Sequence, residues 1–168
     1  MNNISKVLFV TALLLIGGLY TGGAQAAAAL NDANALRGLH EAKGVFMISM
    51  NNPKRFAHVL KVVEETDTGM AKQGVKPRLI VVVIGPTVAF LTKDRRGIPY
   101  MEQSAVAHVQ ASLKKLNGMG VRIEACGVAL KGMDIRPGDV IPQVHPVGNG
   151  FISAIGYQAQ GYQLVPVY

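Results

Sequence analysis

The segment Arg78-Leu-Ile-Val-Val-Val-Ile84 is apolar at every position after its first arginine and is rich in β-branched residues. It has the length of one strand, and its apolar residues do not alternate with polar ones. Strands of this kind are typical of parallel sheets whose two faces are both covered by helices. The segment therefore predicts a central strand of an α/β domain, with a turn at Gly85-Pro86-Thr87 directly after it.

Further strand-like runs alternate with helical patterns on both sides of this segment. Before it, the apolar run Gly44–Met50 leads into Asn51-Asn52-Pro53, a helix-start signal. Taken together, the patterns predict strands at 44–50, 78–84, 121–126, 143–147 and 162–168, and helices ending near 73, 116, 133 and 160. This alternation predicts a three-layer α/β/α domain with a mostly parallel sheet of about five strands.

The amino end has the layout of a cleavable export signal. A short basic start with Lys6 precedes an apolar run from Val7 to Tyr20, and Ala24-Gln25-Ala26 fits the small-x-small rule of signal peptidase. The apolar run is shorter than the about 20 residues that span a membrane. We therefore expect a signal peptide over residues 1–26, a lead-in segment over 27–42 and one domain over 43–168. An uncleaved anchor is the alternative.

Cleavage at about Ala26 would leave no stable membrane anchor and would make the protein periplasmic or otherwise exported. The formal net charge of +7 is carried by scattered basic residues. They are not interleaved with aromatic residues as on a nucleic-acid surface, so we expect no nucleic-acid partner. The sequence carries no phosphate-loop or dinucleotide fingerprint and no metal-ligand spacing, so we expect no cofactor and no metal site.

Cys126 is the only cysteine, and it stands at the carboxyl end of the predicted third strand. Ligand crevices of open α/β sheets lie beyond the carboxyl ends of strands, and a helix turn after the strand would favour the thiolate. Lys131 could add positive charge to the same place. Free cysteines are also among the most buried residue types, so a packed structural cysteine is the alternative. A third interpretation is a redox-sensitive disulfide between two chains.

Other candidate site residues surround this position in the predicted topology. His145, in a Val-His-Pro-Val setting, is a candidate helper that would pair with the thiolate or relay a proton if neighbouring strands bring it close. A partly exposed histidine at a strand end is the other interpretation. Gly85 and Gly127 stand at predicted helix starts and, with Lys131, are candidates to border a pocket for an anion or a sulfur donor.

Three segments resemble the DsrE/DsrF-like (YchN-like) family. Gly120-Val-Arg-Ile-Glu-Ala-Cys-Gly127 is similar to its cysteine segment, Gly85–Leu91 to its second strand-to-helix turn, and Val147–Pro166 to its closing helix and strand. The resemblance runs from about Gly44 to Tyr168. It implies a compact α/β/α fold and a homo-oligomer, either a trimer or a hexamer. It also implies that Cys126 matches the cysteine that carries sulfur as a persulfide in some members.

From this resemblance we predict an exported sulfur carrier or sulfurtransferase-type protein that holds sulfane sulfur as a persulfide on Cys126. Such a protein would exchange sulfur with a donor or acceptor protein. The alternative is a non-catalytic oligomeric binding or assembly module with a structurally buried cysteine. A reactive thiol is required by the first hypothesis and excluded by the second.

Overall fold

The computed structural model describes residues 30–168. The predicted signal peptide at 1–26 and the start of the lead-in segment lie outside these residues. The described elements are β1 (Glu41–Ile48), α1 (Pro53–Lys72), β2 (Lys76–Val83), α2 (Tyr100–Gly118), β3 (Arg122–Cys126), α3 (Gly127–Gly132), β4 (His145–Val147), α4 (Gly150–Ala159) and β5 (Gln163–Val167). Short 3₁₀ helices lie at Gly85–Leu91 and Pro137–Asp139. Within residues 30–168, no helix is both long enough and apolar enough to cross a membrane.

The strands form one five-stranded sheet in the order β4-β3-β2-β1-β5. Each strand is parallel to its neighbours. Because all strands run in one direction, their carboxyl ends lie at the same edge of the sheet. Cys126 ends β3 at this edge, next to Val147 at the end of β4. The predicted parallel sheet is thus confirmed.

Helices cover both faces of the sheet. On one face, α1 and α2 pack against residues such as Val81 and Ile123 in the larger apolar core. On the other face, α4 packs over a smaller core that includes Val82, Cys126 and Ala154. This is the predicted three-layer α/β/α arrangement. Since successive strand residues point to opposite faces, Ile123 and Cys126 of the same strand enter different cores.

The starts of β1 and α1 differ in how well the sequence pattern predicts them. Strand β1 begins at Glu41, before the predicted start at Gly44, because Glu41 pairs with Lys76 of β2 and accepts a hydrogen bond of 3.0 Å from Arg78 Nε. Main-chain pairing therefore extends the strand beyond its apolar run. The start of α1 agrees with its predicted signal, since Asn52 Oδ1 accepts a hydrogen bond of 3.0 Å from the backbone N–H of Arg55.

Candidate functional site

Cys126 lies at the junction between β3 and α3. Helix α3 begins at the next residue, Gly127. A Cβ atom added at Gly127 would lie 2.6 Å from the carbonyl oxygen of Val147 in β4, and this oxygen belongs to the backbone and cannot easily move away. Glycine is therefore the residue that allows β3 to turn into α3 while remaining against the end of β4.

The side chain of Cys126 lies beneath helix α4. Cys126 is 6% exposed and belongs to the apolar cluster on that face of the sheet. It makes no capping hydrogen bond to the N–H groups of α3. Gly150 of α4 comes so close that an added Cβ would lie 3.1 Å from the Cβ of Cys126. The thiol is therefore surrounded by apolar groups, and α4 is the element that separates it from solvent.

A buried carboxylate lies beside the cysteine on the same face of β3. Glu124 precedes Cys126 by two residues, so both side chains point toward the α4 side. The Glu124 side chain is 3% exposed, and its Oε1 accepts hydrogen bonds of 2.7 Å from Arg122 Nε and from the Tyr157 hydroxyl of α4. Within residues 30–168, the other oxygen, Oε2, is buried and has no hydrogen-bond partner. One carboxylate thus joins β3 to α4 beside the thiol.

The protonation states of this pair follow from their contacts. Burial is the largest effect on the Glu124 carboxyl and raises its pKa, but Arg122, Tyr157 and the nearby Ser153 hydroxyl together outweigh it. The pKa of Glu124 is therefore lowered from its ordinary value of 4.5. Burial and the hydrogen bond to Glu124 raise the pKa of Tyr157. At neutral pH Glu124 is a carboxylate and Tyr157 a neutral phenol, so the hydroxyl donates to the carboxylate.

His145 is an exposed residue at the start of the edge strand β4. In the register of the sheet His145 pairs with Glu124, whereas Val147 pairs with Cys126. The two predicted partners are therefore on adjacent strands and on the same face, two register positions apart. Within the described part of the chain, no hydrogen bond joins the His145 ring to Cys126.

The predicted pocket residues fall into two places. Gly127 and Lys131 line one cleft of about 360 Å³, together with Arg136. Gly85 does not line this cleft: it has a φ of 56° and packs against Ser49, whose Oγ would lie 2.7 Å from an added Cβ. Among residues 30–168, no three His, Cys, Asp or Glu side chains are grouped so that they could hold a metal ion.

The sequence pattern does not single out Glu124, Tyr157 or Gly150 as site residues. A signal for Glu124 exists, since a charged residue in the middle of a strand that is buried after its first residue requires partners for its charge. No comparable signal exists for its partner, because Tyr157 follows Glu124 by 33 positions and the pair forms only in the folded chain. Gly150 likewise has no local signature beyond its place at a helix start.

Comparison with known proteins places this fold in a family. The family model described as DsrE/DsrF-like matches residues 23–167. The structure of the protein of unknown function MTH1491 from Methanobacterium thermoautotrophicum has a TM-score of 0.57 at 22% identity, covering 74% of this chain and 98% of that chain. The ychN protein from E. coli has a TM-score of 0.48 at 14% identity, covering 75% of this chain and 99% of that chain.

Among curated proteins, none matches the chain. The likeness to MTH1491 shows the fold, at an identity too low to indicate a reaction. The family model supports a family assignment, because its match extends over nearly the whole described domain and includes the Cys126 segment. On this match, the chain belongs to the DsrE/DsrF-like family.

Proposed function

We propose that this protein is an exported sulfur carrier that holds sulfane sulfur as a persulfide on Cys126. Membership of the DsrE/DsrF-like family relates its fold to sulfur relay. The observation that carries the proposal is the place of the only cysteine, at the carboxyl end of a parallel strand. Ligand crevices of parallel sheets lie at this edge, and a cysteine thiolate is the side chain that attacks sulfane sulfur most readily.

The exchange that we propose is a thiolate–persulfide substitution. The Cys126 thiolate attacks the outer sulfur of a donor persulfide R–S–SH, a new S–S bond forms, and the donor's S–S bond breaks. The donor leaves as the thiolate RS⁻, and Cys126 becomes Cys–S–SH. An acceptor thiolate then takes the outer sulfur in the same way, and the Cys126 thiolate leaves. No net oxidation occurs, and the exchange uses no metal or organic cofactor.

The cleft that contains Gly127 and Lys131 supports a place for the donor. It begins at the residue directly after Cys126, and Lys131 and Arg136 contribute positive charge to its lining. Arg136 is paired with Asp139 at 2.7 Å, so Lys131 is the cation that we assign to the thiolate RS⁻ that leaves the donor. His145 is the candidate helper that takes the thiol proton. We propose these roles for the sulfur-exchange step.

The test is the intact mass of the mature protein, measured after purification from its native compartment, before and after a mild reductant. We expect the protein to be one or two sulfur atoms heavier before reduction and to lose this mass on reduction. Because Cys126 is the only cysteine, Cys126→Ser is a complete control and should show no such mass. Equal persulfide labelling of the variant and the wild type would contradict the proposal.

Export is part of the proposal and has its own test. The supporting observation is the basic start, apolar run and Ala24-Gln25-Ala26 site in the sequence before residue 27. Amino-terminal sequencing of the protein from a periplasmic extract should begin at about Ala27. A chain that retains residues 1–26 and fractionates with membranes would indicate an uncleaved anchor.

A second candidate function is a non-catalytic, homo-oligomeric assembly module. It is favoured by the burial of Cys126 and by an apolar surface on the outer side of α4. Three large side chains form this surface, which we call the α4 outer face: Phe151, Ile152 and Ile155, at 57%, 68% and 66% exposure. A protein whose thiol is unmodified in its compartment and does not react with added polysulfide would favour this function over sulfur exchange.

A further inference from the structure

Helix α4 covers Cys126 with its first turns. Gly150 and Ala154 are the two buried residues of this helix, and both have little or no side chain. The backbone of α4 therefore lies close to β3, and an added Cβ at Gly150 would meet both Cys126 and Val82 at 3.1 Å. With this part of α4 in place, Cys126 is only 6% exposed.

The other end of α4 is held by the Glu124 carboxylate. The Tyr157 hydroxyl donates a hydrogen bond of 2.7 Å to Glu124 Oε1. Because Glu124 and Cys126 lie on the same face of β3, the two ends of α4 contact one strand at neighbouring positions. A change in the Tyr157–Glu124 contact therefore acts on the helix that covers the thiol.

Apolar burial contributes less to α4 than to the helices on the opposite face. Helix α1 buries four residues including Phe56 and Leu60, and α2 buries five including Leu113 and Leu116. Helix α4 buries only Gly150 and Ala154. Since the buried apolar area sets most of a helix's attachment, hydrogen bonds account for an unusually large share of what holds α4 in place. Elements of this kind open locally at a lower free energy than the whole domain.

We propose that Glu124 and Tyr157 are positioning residues that hold α4 closed over Cys126, and that the thiol reacts through local opening of α4. The meaning of this opening for sulfur exchange rests on the proposed function. Control of thiol access itself does not, because it follows from the packing of α4 on β3. In this proposal the opened state exposes Cys126, and the cleft that contains Lys131 begins at the next residue, Gly127.

The first test is the alkylation rate of Cys126 with iodoacetamide, measured on the folded full-length protein across low urea concentrations. Tyr157→Phe removes the hydroxyl that donates to Glu124 and keeps the ring. We expect about a tenfold faster rate in this variant, as the loss of a hydrogen bond to a charged group implies. The matched control is Tyr100→Phe, at an exposed tyrosine of α2, which should leave the rate unchanged.

The second test compares two helix caps. Asn149 Oδ1 accepts a hydrogen bond of 2.9 Å from the backbone N–H of Phe151 at the start of α4, and Asn52 has the same role for α1. Both alanine variants lose a cap of similar strength. We expect Asn149→Ala to raise the alkylation rate about fivefold, with a weak urea dependence, and Asn52→Ala to leave it near the wild-type value.

Two outcomes would overturn the proposal. Equal acceleration by Asn149→Ala and Asn52→Ala, with the urea dependence of global unfolding, would mean that the thiol is reached only by unfolding of the domain. A wild-type rate equal to that of a free thiol would mean that α4 does not protect Cys126. Neither outcome depends on whether Cys126 exchanges sulfane sulfur. A protein that shows the expected alkylation pattern but carries no persulfide would contradict the proposed function and leave the control of access by α4 intact.

Discussion

Gly150 of α4 lies directly against Cys126 of β3: a Cβ atom added at Gly150 would lie 3.1 Å from the Cβ of Cys126 and 2.7 Å from Ile84 Cγ2. Ile84 is β-branched, and the Cβ of Cys126 is bonded directly to the strand backbone. Neither group can move aside as the end of a flexible side chain would. The close contact between helix and strand thus depends on the absence of a side chain at this position.

We expect Gly150→Ala to lower the free energy of unfolding by roughly 1–3 kcal/mol, the usual cost of overpacking a close contact. Gly156→Ala, in the same helix, is the matched control, since nothing lies within 4 Å of its added Cβ. That control should raise stability by about 0.5–1 kcal/mol, because alanine is the better helix former. Urea unfolding of both variants measures the difference. Equal effects of the two variants would contradict the close contact at Gly150.

The buried Glu124 carboxylate should make stability depend on pH. Its pKa is lowered in the folded protein from the ordinary 4.5, so its charged form favours folding above that value. The contribution is lost as the pH falls from 4.5 through the lowered pKa of the folded state. We expect Glu124→Gln to cost roughly 1–3 kcal/mol at neutral pH, with the difference from the wild type shrinking below the unfolded value.

Urea unfolding of the wild type and Glu124→Gln at neutral pH and at a pH well below 4.5 measures this dependence. The control is Glu41→Gln. Glu41 also has a lowered pKa through its hydrogen bond with Arg78, but solvent screens this exposed pair. Its substitution should therefore have a small effect. A difference between Glu124→Gln and the wild type that stays constant across this pH range would contradict the charged state assigned to Glu124.

Thr87 joins the loop after β1 to the 3₁₀ helix after β2. Its buried Oγ1 accepts a hydrogen bond of 2.5 Å from the Met50 N–H and donates one of 2.7 Å to the Met50 carbonyl. We expect Thr87→Val to cost roughly 1–3 kcal/mol, since both main-chain groups lose their partner in a buried place. Thr66→Val is the control, because its hydroxyl bonds only within α1 at an exposed site. Thermal unfolding of both variants provides the comparison.

In the second candidate function, the assembly module, the α4 outer face should be the contact surface of the homo-oligomer. We expect the wild type to sediment as a trimer or hexamer, and Ile155→Asp to sediment as a smaller species because a buried unpaired carboxylate is costly. Met101→Asp, at a similarly exposed apolar residue of α2, should keep the wild-type assembly. Analytical ultracentrifugation distinguishes these cases. A monomeric wild type, or an Ile155→Asp variant that assembles normally, would exclude this surface as the contact.

The predictable part of the site is the part that local sequence specifies. A strand-like run that ends at a cysteine followed by a glycine predicts the end of a strand at Cys126 and Gly127. The structure ends β3 and starts α3 there. Lys131 is a candidate because it follows Cys126 by five residues; it lines the cleft that begins at Gly127, whereas Cys126 does not. The local pattern does not predict the burial of the thiol, because this burial depends on an element more than twenty residues later in the chain.

The amino-acid sequence by itself determined the fold, because apolar runs without alternation, helix caps and terminal glycines each act over a few residues and agree with one another. It also determined which strand carries the thiol. Only the tertiary structure decided what surrounds that thiol: the cover by Gly150, the Tyr157–Glu124 hydrogen bond and the register that sets His145 opposite Glu124. These contacts join residues distant in the chain. Their distances are set by the packing of α4 on β3, which no local pattern of residues encodes.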